Sequence, residues 1–180
     1  MLNQYILRHG LIYAAISVII TIVLYILGAD FFANNMMVIS ILLLLIAIIY
    51  PIIVVSRFRK DNGGYCTFID AFKCVFGVLI LAGAIGLIFN IVMYGFIDTE
   101  YPKQINEKVM IKTMEFMQKM GASEDDINKA MEQAQSNNRF EIAAQIKGFL
   151  FSAVFYALYA LILAAIFKKD KPVFDTTPQA

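Results

Sequence analysis

Four uninterrupted apolar runs dominate this chain and restrict what it can fold into. They are Leu11 to Leu27, Met37 to Val55, Ala71 to Ile97 and Gly148 to Phe167. A hydrocarbon layer about 30 Å thick is crossed by roughly 17–25 helical residues, so each run is long enough to span a bilayer. The third run is the longest and should tilt or protrude, with Lys73 near one end where its side chain can reach the interface. Arg8 and His9 precede the first run. That run is longer than a secretory apolar region and ends in "ILGAD" without a small-x-small site, so it reads as a retained span. Composition agrees. The chain is 60% hydrophobic and 16% charged, against about 45–50% and 25% in soluble domains.

Lys and Arg gather on the cytoplasmic side of short membrane loops. The loop after the first run, "GADFFANNM", has none, whereas the next carries Arg57, Arg59 and Lys60, and the tail begins Lys168, Lys169, Asp170, Lys171. Both termini and the second loop are therefore expected in the cytoplasm. The long third connection, Asp98 to Lys147, holds seven Lys or Arg and nine Asp or Glu. The charge rule weakens over such lengths, and the segment is expected outside the cytoplasm. The predicted fold is all-α: one domain over 1–180, with four transmembrane helices and an extracytoplasmic helical hairpin between the third and fourth. The expected location is the cytoplasmic (inner) membrane.

Inside the third connection, Pro102 suits a first helical turn, and Ile105, Val109, Met110, Met114, Met117 and Met120 recur at helical spacing. Gly121 suits a helix end, and Ser123 with Asp126 a second start. Ile127, Ala130, Met131 and Ala134 mark one face of that second helix. It is expected to end near Asn137 and Asn138, and the chain from Arg139 leads into the fourth run. The five methionines here suit the seam of the hairpin. The competing readings are a flexible surface for a partner or the membrane, and soft thioether binding of Cu(I), which no Cys or His supports.

The stretch "SRFRKDNGGYCTFIDAFK" is the most densely patterned. Arg57, Arg59 and Lys60 are orienting charges able to meet anionic headgroups. Asn62, Gly63 and Gly64 supply a tight turn. Thr67 is expected to cap the third helix, with Asp70 as an acid in its first turn. Tyr65, Phe68 and Phe72 are placed at the interface. The stretch reads as a turn and anchor, with a cytoplasmic docking point as the alternative.

Within the apolar runs ionisable groups are almost lacking. Ser17, Thr21, Ser40 and Ser152 can bond to their own helices. Asn90 is expected to hydrogen-bond between helices, with a polar pore lining as the alternative. Gly77, Ala82, Gly83 and Gly86 in the third run, and Ala153, Ala157, Ala160 and Ala164 in the fourth, allow close helix approach. They suit packing within one unit or a homodimer seam. Pro51 should kink the second helix. His9 lacks partners for a catalytic set, no phosphate-binding loop occurs, and Cys66 and Cys74 form no zinc pattern. With net charge +1, nucleic acid is not an expected partner. No cofactor is expected. The function classes left are a non-enzymatic accessory or interaction protein, a small oligomeric transporter or channel, and, least favoured, an intramembrane enzyme. Expected partners are the lipid bilayer and a membrane protein or a second copy of this chain.

Three stretches carry a family resemblance: "RFRKDNGGYCTFIDAFK", "GFIDTEYPKQ", and "AAQIKGFLFSAVF" with "LILAAIFKKDKPVF". With them, nearly the whole chain resembles the bacterial membrane proteins catalogued as domain of unknown function 4199. The first stretch matches the family pattern at Arg59, Lys60, Asn62, Gly63, Gly64, Tyr65, Phe68, Asp70, Ala71 and Phe72, and departs from it at Cys66. The resemblance implies four membrane helices and a helical insertion before the last. It implies no activity and no catalytic residues.

Overall fold

The computed structural model describes residues 2–136 and 140–171, with the side chains of 133–136 excepted. The expected helix end at Asn137 and Asn138, the lead-in at Arg139 and the side chain of Ala134 lie outside the described residues. The described chain is all-helical, in five α-helices. They are α1 (Leu2–Asp61), α2 (Phe68–Val92), α3 (Tyr101–Lys119), α4 (Glu124–Ser136) and α5 (Ile142–Phe167). α2 continues into one wide turn, Met93–Ile97, with π-helical hydrogen bonding. Three helical stretches are long and apolar enough to cross a membrane: Leu2–Asp61, Phe68–Ile97 and Ile142–Phe167. The chain thus has the make-up of a membrane protein.

α1 is two limbs rather than one rod. Gly28 has φ 86° and ψ 164°, a conformation essentially confined to glycine. The chain folds back there. The Tyr5 hydroxyl donates to the Val54 carbonyl (3.3 Å) and the Tyr50 hydroxyl to the His9 carbonyl (3.1 Å). The Tyr13 and Tyr50 rings stack at 4.7 Å. The polar loop expected from "GADFFANNM" is therefore corrected: Ala29 onward is already helical, and one residue makes the turn. The backbone also stays helical at Pro51, which is buried.

Glycines bring the helices together, and α2 is the central element. A methyl group on Gly10 of the first limb would lie 2.6 Å from Leu81 Cδ2, and one on Gly77 2.8 Å from Ile6 Cγ2. On the other side of α2, Gly83 meets Phe149 and Tyr156 of α5. The main core gathers near residues 54–79 and 160–164, with Val54, Val55, Ala71, Cys74, Val75, Val78, Ala160 and Ala164 fully buried. Gly77, Ala82, Gly83, Ala160 and Ala164 thus pack within one unit, whereas Gly86 faces open space. Outward, Ile19, Val23, Ile26, Ile41, Leu44 and Phe151 are among many large apolar side chains left exposed.

The insertion forms the expected two helices, α3 and α4. Gly121 has φ +77° at their turn. Ser123 Oγ accepts from the Asp126 N–H (3.2 Å) and donates to Asp126 Oδ2 (2.7 Å). Met110, Met114, Met117 and Met131 are half-buried, but Met120 is 73% exposed and lies outside any seam. A smaller core of Ala29, Tyr101 and Ile105 docks α3 onto the Gly28 end of α1.

Candidate functional site

The Gly-Gly stretch is a clamped turn. Past Asp61, the Gly64 N–H donates to the Arg59 carbonyl (2.9 Å) and the Gly63 N–H to that of Lys60 (3.1 Å). Both glycines have positive φ, 71° and 86°, where a side chain would be strained. The Arg59 Nε donates to the Gly64 carbonyl (3.0 Å), so this cation braces the turn. Thr67 Oγ1 accepts from the Asp70 N–H (3.1 Å) and donates to Asp70 Oδ2 (2.8 Å). That cap starts α2 three residues earlier than the apolar run suggested. Phe72 stacks on Phe76 at 5.4 Å, while Phe68, Arg57 and Lys60 are exposed and Asn62 is half-buried.

A feature with no local sequence signal closes this turn. Cys66 and Lys169 exchange two backbone hydrogen bonds, N–H to carbonyl at 2.9 and 2.8 Å. Lys169 Nζ lies 5.5 Å from the Tyr65 ring centroid, a cation–π distance. The chain end after α5 is thereby tied to the turn. Cys66 and Cys74 are buried and unpaired. Burial pushes the Cys66 thiol up, which disfavours a nucleophilic thiolate. Among the described residues, no three of His, Cys, Asp and Glu group in a way that could hold a metal ion.

Asn90 lies elsewhere, in a second feature. The first limb and α5 both pack on α2, and the three together line a cleft of ≈ 330 Å³. Its polar lining is Tyr13, Ser17, Asn90, Gln145, Ser152 and Tyr156. Along α5 it extends from Gln145 to Tyr156, about 16 Å at 1.5 Å per residue. Leu79, Leu87 and Phe149 supply apolar wall. No Asp, Glu, Lys, Arg or His is among the described lining residues, nor is any residue of the second limb. Ser17 Oγ donates to the Tyr13 carbonyl (3.0 Å) and Gln145 Nε2 to the Phe140 carbonyl (2.8 Å). The side-chain amide of Asn90 has no hydrogen-bond partner among the described residues, contrary to the interhelical bond expected of it. The turn residues and Asn90 therefore belong to separate places. Gln145, Tyr13 and Tyr156 went unremarked in sequence because tyrosines and a glutamine near a helix start are ordinary there.

A third cluster joins the insertion to the helices. Asp98 Oδ1 accepts from the N–H groups of Tyr101 (2.9 Å) and Glu100 (3.1 Å), capping α3, and Asp98 Oδ2 accepts from the Tyr25 hydroxyl (2.8 Å). The Tyr101 N–H, then the Tyr25 hydroxyl, hold the Asp98 carboxyl below its usual range. The Tyr101 hydroxyl donates to the Leu24 carbonyl (3.1 Å), and its ring meets Tyr25 and Tyr94. Lys108 pairs with Asp30.

No curated protein and no solved structure matches this chain. Residues 8–169 match the family described as Protein of unknown function (DUF4199), and, with nearly the whole chain covered, the protein belongs to that family.

Proposed function

We propose that this protein crosses the cytoplasmic membrane four times, with both termini and the Gly-Gly turn in the cytoplasm and residues 98–147 outside, and that it serves as a non-enzymatic accessory protein. The fold-back of α1 at Gly28 carries this reading. It brings Arg8 to the same end as Arg57, Arg59 and Lys60, and the Cys66–Lys169 bridge adds Lys168 and Lys169. One end of the bundle thus collects the short-loop cations, as cytoplasmic ends do. The non-enzymatic reading is supported by how the acids are spent: Asp70 and Asp98 cap helices.

Reporter fusions test the topology. A fusion in the exposed α3–α4 turn after Gly121 should read extracytoplasmic, and one after Lys171 cytoplasmic; the opposite pattern overturns it. The uncharged cleft favours a second reading, a small oligomeric transporter or channel. Solute flux through liposomes carrying the purified protein, lost on substituting Asn90, would replace the accessory reading.

A further inference from the structure

The cleft between the first limb and α5 is a place where polar groups sit in an otherwise apolar bundle without answering one another. A side-chain amide offers two N–H donors and a carbonyl, and leaving these unmet in apolar surroundings is unfavourable. Asn90 is in that position. The cleft wall is open beside it: a Cβ added at Gly86 would meet nothing within 4 Å, whereas at Gly83, one turn away, it would meet Phe149 Cε2 at 3.0 Å. Space and unmet hydrogen bonding therefore coincide at Gly86 and Asn90. The volume, ≈ 330 Å³, lies at the lower end of small-ligand pockets.

We propose that this cleft is a binding site for one neutral lipid whose carbonyl oxygens lie next to its hydrocarbon chain. The chemistry of the walls selects that class. With no Asp, Glu, Lys, Arg or His in the described lining, nothing there compensates a charged headgroup. The Asn90 amide and the Tyr13, Ser152 and Tyr156 hydroxyls offer donors to carbonyl oxygens. Leu79, Leu87 and Phe149 accept a hydrocarbon segment. The second limb contributes no described wall residue, and the helices around the cleft are the ones we place in the bilayer, so the ligand enters from the lipid phase. Two sources share this chemistry: the ester region of a diacylglycerol, and the ring carbonyls of an isoprenoid quinone.

This site rests on the membrane placement proposed above, and the two fail separately because the fusions report topology without reference to binding. The test is native mass spectrometry of the full chain released from detergent micelles, after addition of dioleoylglycerol in one arm and an isoprenoid naphthoquinone in the other. Wild type should carry one saturable adduct, and the arm in which it appears identifies the source. Gly86→Phe, which fills the open wall, should weaken the adduct by about tenfold or more. Asn90→Leu should weaken it less, and Ile88→Phe, on an exposed face of the same helix, should leave it unchanged. Gly86→Val replaces the Phe variant if circular dichroism shows that one unfolded. Adducts that do not saturate, or equal occupancy in wild type and a folded Gly86 variant, overturn the proposal, as does the absence of an adduct in both arms.

Discussion

At the end that holds the Gly-Gly turn, Val55, Cys74, Val75 and Val78 are 0% exposed, and helices from every part of the bundle meet there. At the insertion end the core shrinks to Ala29, Tyr101 and Ile105, and polar contacts take over: the Asp98 cap, the Tyr101 hydroxyl on Leu24 and the Lys108–Asp30 pair. The cleft opens between the two. Close packing sums many small dispersion contacts and drives helix association even in lipid, while hydrogen bonds and exposed ion pairs contribute only modestly in net terms. The turn end should therefore anchor the fold, and the insertion should come loose first.

The largest effect should come from a charge in the anchoring core. Val55→Asp buries an unpaired carboxylate at a cost of several kcal/mol, comparable to a typical domain's whole stability. It should abolish a monodisperse peak in detergent size-exclusion chromatography. Ile105→Asp should release the insertion but keep the peak; if both behave alike, the two ends are not distinct. Gly28→Ala is next. Nothing lies within 4 Å of the added carbon, so its cost is backbone strain alone, about 1–3 kcal/mol, read as a lower melting temperature in micelles.

Smaller effects should stay at the insertion. Tyr101→Phe removes one donor, about 1 kcal/mol, and should speed proteolysis in the 120–124 turn without moving the main melting transition. Acid should do the same through Asp98. Its folded-state carboxyl is held below the usual range, so its contribution is present above the unfolded value of about 3.9 and is lost as pH falls through the lower folded value. Hydrogen exchange in the first turn of α3 should rise as pH drops below about 4, relative to Asp98→Asn. Lys108→Met should change least, about 0–1 kcal/mol, with no measurable shift in melting.

The elements were legible in sequence because each signal was local. Apolar run lengths, the Thr67 and Ser123 caps, and the glycines at 63, 64 and 121 each act within a few residues. What stayed hidden depended on residues far apart. Ala29, Ala33 and Ile39 are buried along the start of the second limb, so a stretch that falls between two apolar runs is held as helix by tertiary packing. The cleft draws Ser17, Asn90, Gln145 and Ser152 from three helices, and only their packing on α2 brings them together. Asn90 stands out as polar in the sequence, but the space beside Gly86 has no trace in composition.

The bridge between Cys66 and Lys169 bears on the order in which the chain is made. During synthesis the turn emerges early, and its partner Lys169 emerges only after α5 has been completed. Until then Cys66 lacks the partner that takes both its backbone groups in the folded chain, and unpaired backbone groups are open to water or to wrong partners. A chain stalled before Lys169 thus presents an unlatched turn. The latch marks the moment at which the last helix has joined the bundle, separating finished from unfinished molecules.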